Sequence, residues 1–312
     1  MVRRRLTAAL VVAGGAALGA EDLYVAEDLL PPATLVAAEG PAVGPDGALY
    51  AVNYSRFNTI ARITPQGQVS LFATLPGPSR GNGIRFARDG RLFVADYAGH
   101  NILVVDAATG VVAVFAHEPR MNQPNDLAIG ADDRLYASDP SWGDGTGQLW
   151  RVDPDGTVTL LEAGMGTTNG IEVGSDEATL YVNESAQRVV WAYDLAVDGT
   201  VSGKRALIRF EDYGLDGMRC DVAGNLYVAR YDKGVVAVVS PAGDLVREVA
   251  LRGRQPTNVA FGGPDGRTVY VTVNDRGNVE TFRAERPGRS WALRHPVSAV
   301  EAATWGTVKG DR

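Results

Sequence analysis

The chain has 312 residues, and its 45% hydrophobic and 21% charged composition is ordinary for a globular protein of one large domain or two smaller ones. Its formal net charge of −7 argues against a nucleic-acid-binding surface and favours a cation or an uncharged molecule as ligand. The only cysteine, Cys220, excludes an intrachain disulfide and a thiolate metal cluster.

Residues 1–20 differ from the rest of the chain. They place three arginines before a short apolar stretch that ends in "LGA", which is the order of a secretory signal with a small-residue cleavage site. The apolar stretch is too short for a membrane span of about 20 residues. We therefore predict a signal peptide at 1–20, a single domain at 21–312, and a periplasmic or secreted protein without membrane contact after cleavage. The alternative is an ordered N-terminal segment on a cytoplasmic protein.

Six similar segments follow along the chain. The first reads "EGPAVGPDGALYAVNYS", the second "GNGIRFARDGRLFVADY" and the fifth "LDGMRCDVAGNLYVARY". Each has a polar residue, a short apolar strand, a turn with acidic residues or glycine, and a second strand that carries an aromatic residue. These aromatic residues are Tyr50, Phe93, Tyr136, Tyr181, Tyr227 and Tyr270. Successive members are 43, 43, 45, 46 and 43 positions apart.

Each repeat continues with two more short strands, as in "NILVVDAATG" followed by "VVAVFAH". Four strands in a period of about 40–50 residues are typical of a β-propeller blade. The sequence therefore predicts an all-β, six-bladed β-propeller with four antiparallel strands in each blade. The sixth repeat has only three clear strands. Its fourth is expected either from "WALRH" near the C-terminus or from the segment around "ATLVAA" before the first blade.

The first strand of each blade lies against the central channel, so the residue that begins it points towards one mouth of that channel. This position holds two carboxylates and four amides, at Glu39, Asn82, Asn125, Asn169, Asp216 and Asn258. Such oxygen ligands suit one hard divalent cation. Ca²⁺ is favoured, Mg²⁺ and Mn²⁺ are alternatives, and Zn²⁺ is less natural without His or Cys. A different interpretation is that Asn and Asp begin these strands only because they form turns with their own backbone.

The motifs "EGP", "PND", "NGIEV", "DGM" and "PTNVAFGGPDGRTVYVT" follow one another between roughly residues 35 and 285. In this combination the chain resembles the gluconolactonase/senescence-marker-protein (regucalcin) family of six-bladed propeller lactonases. The resemblance implies a single catalytic divalent cation in the channel, held by Glu39, Asn169 and Asp216. It also implies that Asn125 contacts either the cation or the substrate.

The same resemblance implies hydrolysis of a sugar lactone or another small lactone. A cation at the base of the pocket polarises the lactone carbonyl and lowers the pKa of a bound water. Asp216 is then the candidate general base for that water. Amide donors such as Asn125 would stabilise the oxyanion.

Further polar residues near the same mouth are candidate substrate contacts. Two residues before Asn125, vertebrate members of the family carry an arginine, whereas this chain has Gln123, which binds a sugar hydroxyl less strongly. Asp139 and Asn183 end second strands, and Trp142 lies in the loop "DPSWGDGTG". The predicted substrate contacts are Asn82, Gln123, Asn125, Asp139, Trp142, Asn183 and Asn258.

Two classes of function remain open at this point. One is a divalent-metal-dependent lactonase, a monomer or weak oligomer, acting on a small-molecule lactone. The other is a non-catalytic propeller that binds a ligand or a protein, with Ca²⁺ only tying the blades together, because propellers host many functions. A phosphotriesterase activity would share the same site.

Overall fold

The computed structural model describes residues 22–295, so the predicted signal peptide at 1–20 lies outside the described residues. Between these limits the chain forms six antiparallel sheets of four strands each. Each of the six aromatic residues of the repeat lies on the second strand of its own sheet. The prediction of an all-β, six-bladed propeller is confirmed.

Strands are numbered in chain order from β1 (Glu27–Asp28), and the first three blades use consecutive strands from the channel outwards. Blade one comprises β2 (Glu39–Val43), β3 (Leu49–Val52), β4 (Thr59–Ile63) and β5 (Val69–Thr74). Blade two comprises β6 (Gly81–Phe86), β7 (Leu92–Asp96), β8 (Asn101–Val105) and β9 (Val112–His117). Blade three comprises β10 (Leu127–Ile129), β11 (Leu135–Ser141), β12 (Thr146–Val152) and β13 (Val158–Met165).

The next two blades follow the same pattern, and the sixth begins in the same way. Blade four comprises β14 (Thr168–Val173), β15 (Thr179–Glu184), β16 (Val189–Leu195) and β17 (Val201–Arg209). Blade five comprises β18 (Met218–Cys220), β19 (Leu226–Arg230), β20 (Val235–Val239) and β21 (Leu245–Ala250). Blade six comprises β22 (Pro256–Gly262), β23 (Thr268–Val273), β24 (Asn278–Arg283) and, as its outer strand, β1.

The ring is closed by the beginning of the described chain. Strand β1 pairs antiparallel with β24, with Glu27 opposite Thr281 and Asp28 opposite Glu280. The prediction of closure from the N-terminal side is right, but the strand lies upstream of "ATLVAA". The alternative was wrong, because "WALRH" belongs to the short helix α1 (Arg289–Arg294). Within residues 22–295, no helix has the length and hydropathy needed to cross a bilayer.

The aromatic residue of each repeat fills the space between neighbouring blades. Tyr50 of blade one contacts Phe86 of blade two edge to face, with 5.1 Å between the ring centroids. Tyr227 of blade five contacts Phe261 of blade six in the same way, at 4.9 Å. Buried aromatic pairs of this geometry stabilise the packing beyond the area that they bury. The period in the sequence is therefore the period of the contacts between blades.

Candidate active site

One mouth of the central channel opens into a cavity of about 490 Å³. Its wall contains the beginnings of the inner strands and the residues that follow the second strands. The lining residues are Ala37, Ala38, Glu39, Asn53, Asn82, Tyr97, Asn125, Trp142, Asn169, Ser185, Asp216, Tyr231, Thr257 and Asn274.

Five of the six strand-beginning residues predicted to meet at the channel line this cavity, namely Glu39, Asn82, Asn125, Asn169 and Asp216. We call these five together with Asn258 the inner ring. The pairing between first and second strands is irregular there, with register shifts at the start of β2, β6, β14 and β22. Bulges of this kind redirect side chains, and here they lie where the inner strands meet the cavity.

Glu39 and Asp216 bring two carboxyl groups to the cavity. The backbone N–H of Gly40 donates a hydrogen bond to Glu39 Oε2, and that of Gly217 donates one to Asp216 Oδ1 at 3.0 Å. Burial, with a smaller contribution from the nearby Asp126 carboxylate, raises the pKa of Glu39 to about 8. Burial and the Glu39 charge raise the pKa of Asp216 well above its ordinary range, against a hydrogen bond from Asn169 that lowers it. Both shifts favour the protonated form of these carboxyl groups over the ionised form.

The environment of Asn169 indicates whether a cation fits this cavity. Its side chain is 4% exposed and hydrogen-bonds to Asp216, but its Oδ1 is buried without a hydrogen-bond partner. A buried amide oxygen without a partner costs free energy, and a hard cation would satisfy it. Asn53 Oδ1, in the same wall, is likewise buried without a partner. The donor set therefore fits a Ca²⁺-like cation.

A cation in this cavity would depend on amide oxygens as well as carboxylates. Across the described residues 22–295, no group of three or more His, Cys, Asp or Glu side chains is arranged to hold a metal ion. Two carboxylates with neighbouring amide oxygens form a hard-ligand set, which suits Ca²⁺ or Mg²⁺ better than Zn²⁺.

The ring depends on one glycine. Gly40, next to Glu39, has φ +52°, and a Cβ added there would lie 1.8 Å from the Asn82 carbonyl oxygen. The chain of blade one therefore passes too close to blade two for any side chain at this position. In the "EGP" motif, the Glu39 side chain lines the cavity, and Gly40 allows blades one and two to approach each other closely.

Asn258 belongs to the inner ring by sequence but does not line the cavity, where its neighbour Thr257 stands instead. The Asn258 amide lies below the wall and hydrogen-bonds to the carboxyl groups of both Glu39 and Asp126. The absence of a side chain at Gly217 gives it room, because a Cβ there would be 1.9 Å from Asn258 Cγ. Asn258 is thus placed to orient Glu39.

Three other predicted substrate contacts lie behind the wall. Asn183 Nδ2 donates a hydrogen bond to the Asp216 carbonyl oxygen at 2.6 Å. The buried Asp139 carboxylate accepts hydrogen bonds from the backbone N–H of Gln123 at 2.6 Å and from Trp150 Nε1 at 2.9 Å. Gln123 in turn accepts a hydrogen bond from the backbone N–H of Trp142 at 3.4 Å. Trp142 itself, which was also a predicted substrate contact and is 39% exposed, lines the cavity.

A second ring of residues, which we call the outer ring, was not predicted from the sequence apart from Trp142. Its members occupy one repeat position, directly after the second strand of each blade: Asn53, Tyr97, Trp142, Ser185, Tyr231 and Asn274. In four blades this residue follows the repeat's aromatic residue by four positions, so the period already contained the signal. Asp139 and Asn183 lie near the ends of the second strands of blades three and four. They come before the position of the outer ring, which faces the cavity.

Below the rings the channel is filled by charged side chains, which we call the buried charge network: Arg85, Asp126, Glu172, Arg219 and Arg289. Arg219 Nη1 lies 3.0 Å from Asp126 Oδ2, and Arg85 Nη2 lies 3.3 Å from Asp126 Oδ1. Arg289, from α1 at the opposite mouth, lies 3.3 Å from Glu172 Oε1. These pairs compensate the cost of burying charge and close the channel beneath the cavity.

The residues that form this site lie in a region that is similar in sequence to known proteins. The family model described as "SGL: SMP-30/Gluconolactonase/LRE-like region" matches residues 37–275, which include the whole inner ring. A pentonolactonase of Haloferax volcanii is 37% identical over 130 residues, covering 41% of this chain and 45% of the relative. A 6-deoxy-6-sulfogluconolactonase of Pseudomonas putida is 37% identical over 130 residues, covering 40% and 44%. The chain thus spans less than half the length of these curated relatives.

Solved structures are similar over a larger part of the chain. The calcium-binding protein regucalcin of Agrobacterium tumefaciens superposes with a TM-score of 0.72, covering 85% of this chain and 95% of that one. At 22% sequence identity, this likeness establishes the shared fold.

Proposed function

The chain belongs to the SMP-30/gluconolactonase/LRE-like family, and from this premise we propose that it is a divalent-cation-dependent hydrolase that opens small lactones. The observation that carries the proposal is the composition of the cavity wall. Two carboxyl groups with raised pKa values, Glu39 and Asp216, share one cavity with the unpartnered Asn169 Oδ1. From the order of residues 1–20, we further propose export to the periplasm or out of the cell.

Glu39, Asn169 and Asp216 would hold the cation, and Asn125 would contribute a further oxygen or contact the substrate. When bound, such a cation supplies polarisation of the lactone carbonyl and makes a neighbouring water more acidic. Ca²⁺ is the first choice because all donors are oxygens. A neighbour of the same fold that is named as calcium-binding adds to the reasons for testing Ca²⁺ first.

Asp216 acts as the general base in this proposal. The water oxygen bonds to the lactone carbonyl carbon while one water proton passes to the Asp216 carboxylate. The Asn125 amide donates a hydrogen bond to the resulting oxyanion. The ring C–O bond then breaks, and the proton returns from Asp216 to the ring oxygen. The product is a hydroxy acid, and no covalent enzyme intermediate forms.

The outer ring would hold the rest of the substrate. Tyr97, Trp142 and Tyr231 present aromatic surfaces against which a lactone ring can pack, while Asn53 and Asn274 present amides for its hydroxyl groups. This combination suits a polyhydroxylated lactone. The names of the pentonolactonase and sulfogluconolactonase relatives agree with this class of substrate.

The test is hydrolysis of glucono-δ-lactone, small γ-lactones and dihydrocoumarin, followed by pH-stat with Ca²⁺, Mn²⁺ or Zn²⁺ and with chelator. We expect turnover that requires the cation and that Asp216→Asn lowers by about 100-fold or more, because it removes the general base. Asp232→Asn is the matched control, since Asp232 lies near this mouth but does not line the cavity.

Absence of turnover on every lactone, with Ca²⁺ still raising the melting temperature, would replace the enzyme by a binding propeller with a structural cation. Equal losses in the two variants would remove Asp216 from its proposed role. Turnover that chelator leaves unchanged would contradict the cation dependence.

A further inference from the structure

Tyr231 and Asp216 lie at the same end of one β-hairpin in blade five. The backbone N–H of Asp216 donates a hydrogen bond to the Ala229 carbonyl oxygen at 2.9 Å, and the N–H of Ala229 donates one to the Gly217 carbonyl oxygen at 3.0 Å. Tyr231 follows two residues after Ala229, directly beyond β19, and it lines the cavity with Asp216. The hairpin therefore brings Tyr231 and Asp216 to the same part of the cavity wall.

The Tyr231 phenol is a polar group of the cavity wall that can donate a hydrogen bond. Asn274, also in the cavity wall, makes a side-chain hydrogen bond to the phenol. Burial raises the pKa of Tyr231, and the carboxylates of Asp216, Asp232 and Asp275 raise it further against the effect of Asn274. A phenol has one O–H and two oxygen lone pairs, so it can accept a hydrogen bond and still donate its O–H to a bound molecule.

Tyr97 occupies the same repeat position in blade two and shows that the position alone does not create this arrangement. It also lines the cavity, directly beyond β7. Its charged neighbour is Arg80, which lowers the pKa of Tyr97 against the effect of burial. One cavity thus contains two tyrosines, of which only Tyr231 has the Asp216 carboxylate among the groups that influence it.

The sequence of bond-making and bond-breaking steps indicates which substrate atom lies near Tyr231. In the proposed lactone hydrolysis, Asp216 takes a proton from water and returns it to the ring oxygen. The ring oxygen must therefore lie within reach of Asp216 when the C–O bond breaks, and the phenol beside Asp216 is Tyr231. An alkoxide leaving group carries most of a negative charge at that moment, so a neutral O–H donor stabilises it.

We propose that Tyr231 is a further catalytic residue, whose phenol O–H donates a hydrogen bond to the lactone ring oxygen as the ring C–O bond breaks. This role rests on the proposed lactonase function. The phenol keeps its proton throughout, and the proton that completes the new hydroxyl group is the one that Asp216 took from water.

The test compares two leaving groups in two matched variants, Tyr231→Phe and Tyr97→Phe. Glucono-δ-lactone releases an alkoxide, whereas dihydrocoumarin releases a phenoxide that needs little help. We expect Tyr231→Phe to lower kcat on glucono-δ-lactone at least about tenfold and on dihydrocoumarin less than about threefold, because the hydrogen bond matters most for the poorer leaving group. Tyr97→Phe is expected to change the ratio of the two kcat values little. Both variants should keep the wild-type rise in melting temperature on adding Ca²⁺.

The outcomes separate this role from the function on which it rests. Wild-type protein without turnover on any lactone overturns both. Wild-type turnover with equal losses on the two substrates in Tyr231→Phe overturns the Tyr231 role alone and leaves the lactonase standing. The same selective loss in Tyr97→Phe would also overturn it, because Tyr97 does not have Asp216 beside it.

Discussion

At the scale of single residues, the carboxyl groups of Glu39 and Asp216 dominate the chemistry of the cavity. Each is placed by a glycine that follows it in sequence, since Gly40 and Gly217 donate backbone hydrogen bonds to them. Asn258 and Asn169 hydrogen-bond to them from the neighbouring inner strands. The cavity thus orients two acidic groups with neutral donors and leaves their charge for a cation to balance.

A pH dependence of cation binding follows from Glu39. Its pKa in the cation-free protein is raised from 4.5 to about 8, so below pH 8 a cation must displace a proton. Ca²⁺ affinity should therefore rise between pH 6 and pH 8, by up to about tenfold per pH unit for each proton displaced. Isothermal titration calorimetry in buffers of different ionisation enthalpy measures both the affinity and the protons released. Glu39→Gln should bind more weakly and with a shallower pH dependence, whereas an affinity that does not change with pH would contradict the assignment.

At the scale of structural elements, α1 closes the mouth of the channel opposite the cavity. The Arg289 side chain donates hydrogen bonds to the Ile129 carbonyl oxygen at 3.0 Å and to Glu177 Oε1 at 2.8 Å, and it lies 3.3 Å from Glu172 Oε1. A six-residue helix has little stability of its own. Its position is therefore set by these contacts with blades three and four.

Replacing either of two arginines of α1 should change the free energy of unfolding by very different amounts. Arg289→Met leaves the Glu172 carboxylate, 3% exposed, without one of its cations, and we expect a loss of about 3 kcal/mol in the free energy of unfolding. Arg294→Met should cost much less, because Arg294 Nε is buried without a hydrogen-bond partner and burial lowers the pKa of this residue to about 10. Chemical denaturation measures both. Similar losses in the two variants would show that α1 is held by its apolar contacts alone.

At the scale of the whole molecule, a two-residue strand closes the ring of six blades. Strand β1 joins β24, and the Asp28 carboxylate binds Arg276 at 2.6 Å, Asn278 at 3.0 Å and Arg252 at 3.2 Å. These partners lie more than 220 residues away in sequence. The hydrogen-bonded arginines lower the pKa of Asp28, so the carboxylate is ionised in the folded ring. A single side chain thus reinforces the short strand that covers the last sheet edge.

Removing this carboxylate should weaken the ring more than removing a comparable one inside a blade. We expect Asp28→Ala to lower the free energy of unfolding by about 1–3 kcal/mol, because it takes charged hydrogen bonds from the closure of the ring. Asp46→Ala is the control, since Asp46 pairs with Arg62 at 2.7 Å at the surface of blade one, where such pairs contribute less than about 1 kcal/mol. Urea denaturation compares the two. A loss for Asp46→Ala as large as that for Asp28→Ala would mean that closure adds nothing to stability.

Six blades and most of the inner ring could be predicted from the amino-acid sequence. Tyr50 and its five counterparts recur with the period of the contacts between blades, and a residue of the inner ring precedes each of them by 11 or 12 positions. Such signals are local, because alternating strands and turn residues depend on neighbours in the chain. Glu39, Asn125, Asn169 and Asp216 could therefore be assigned to one mouth without coordinates. The outer ring could have been found from the same period, three positions after Asp139 and two after Asn183.

Which polar residues face the cavity, and how the ring closes, depend on contacts between segments that are distant in the sequence. A shift of one residue turns a side chain to the other face of its strand, so the irregular pairing before Asn258 placed Thr257 in the wall and Asn258 behind it. Arg219 is spaced like any polar residue of a strand, and only six converging strands bury it against Asp126. The pairing of Asp28 with Arg276 leaves no local trace, because it joins the two ends of the ring, and no periodicity records a contact between segments so far apart.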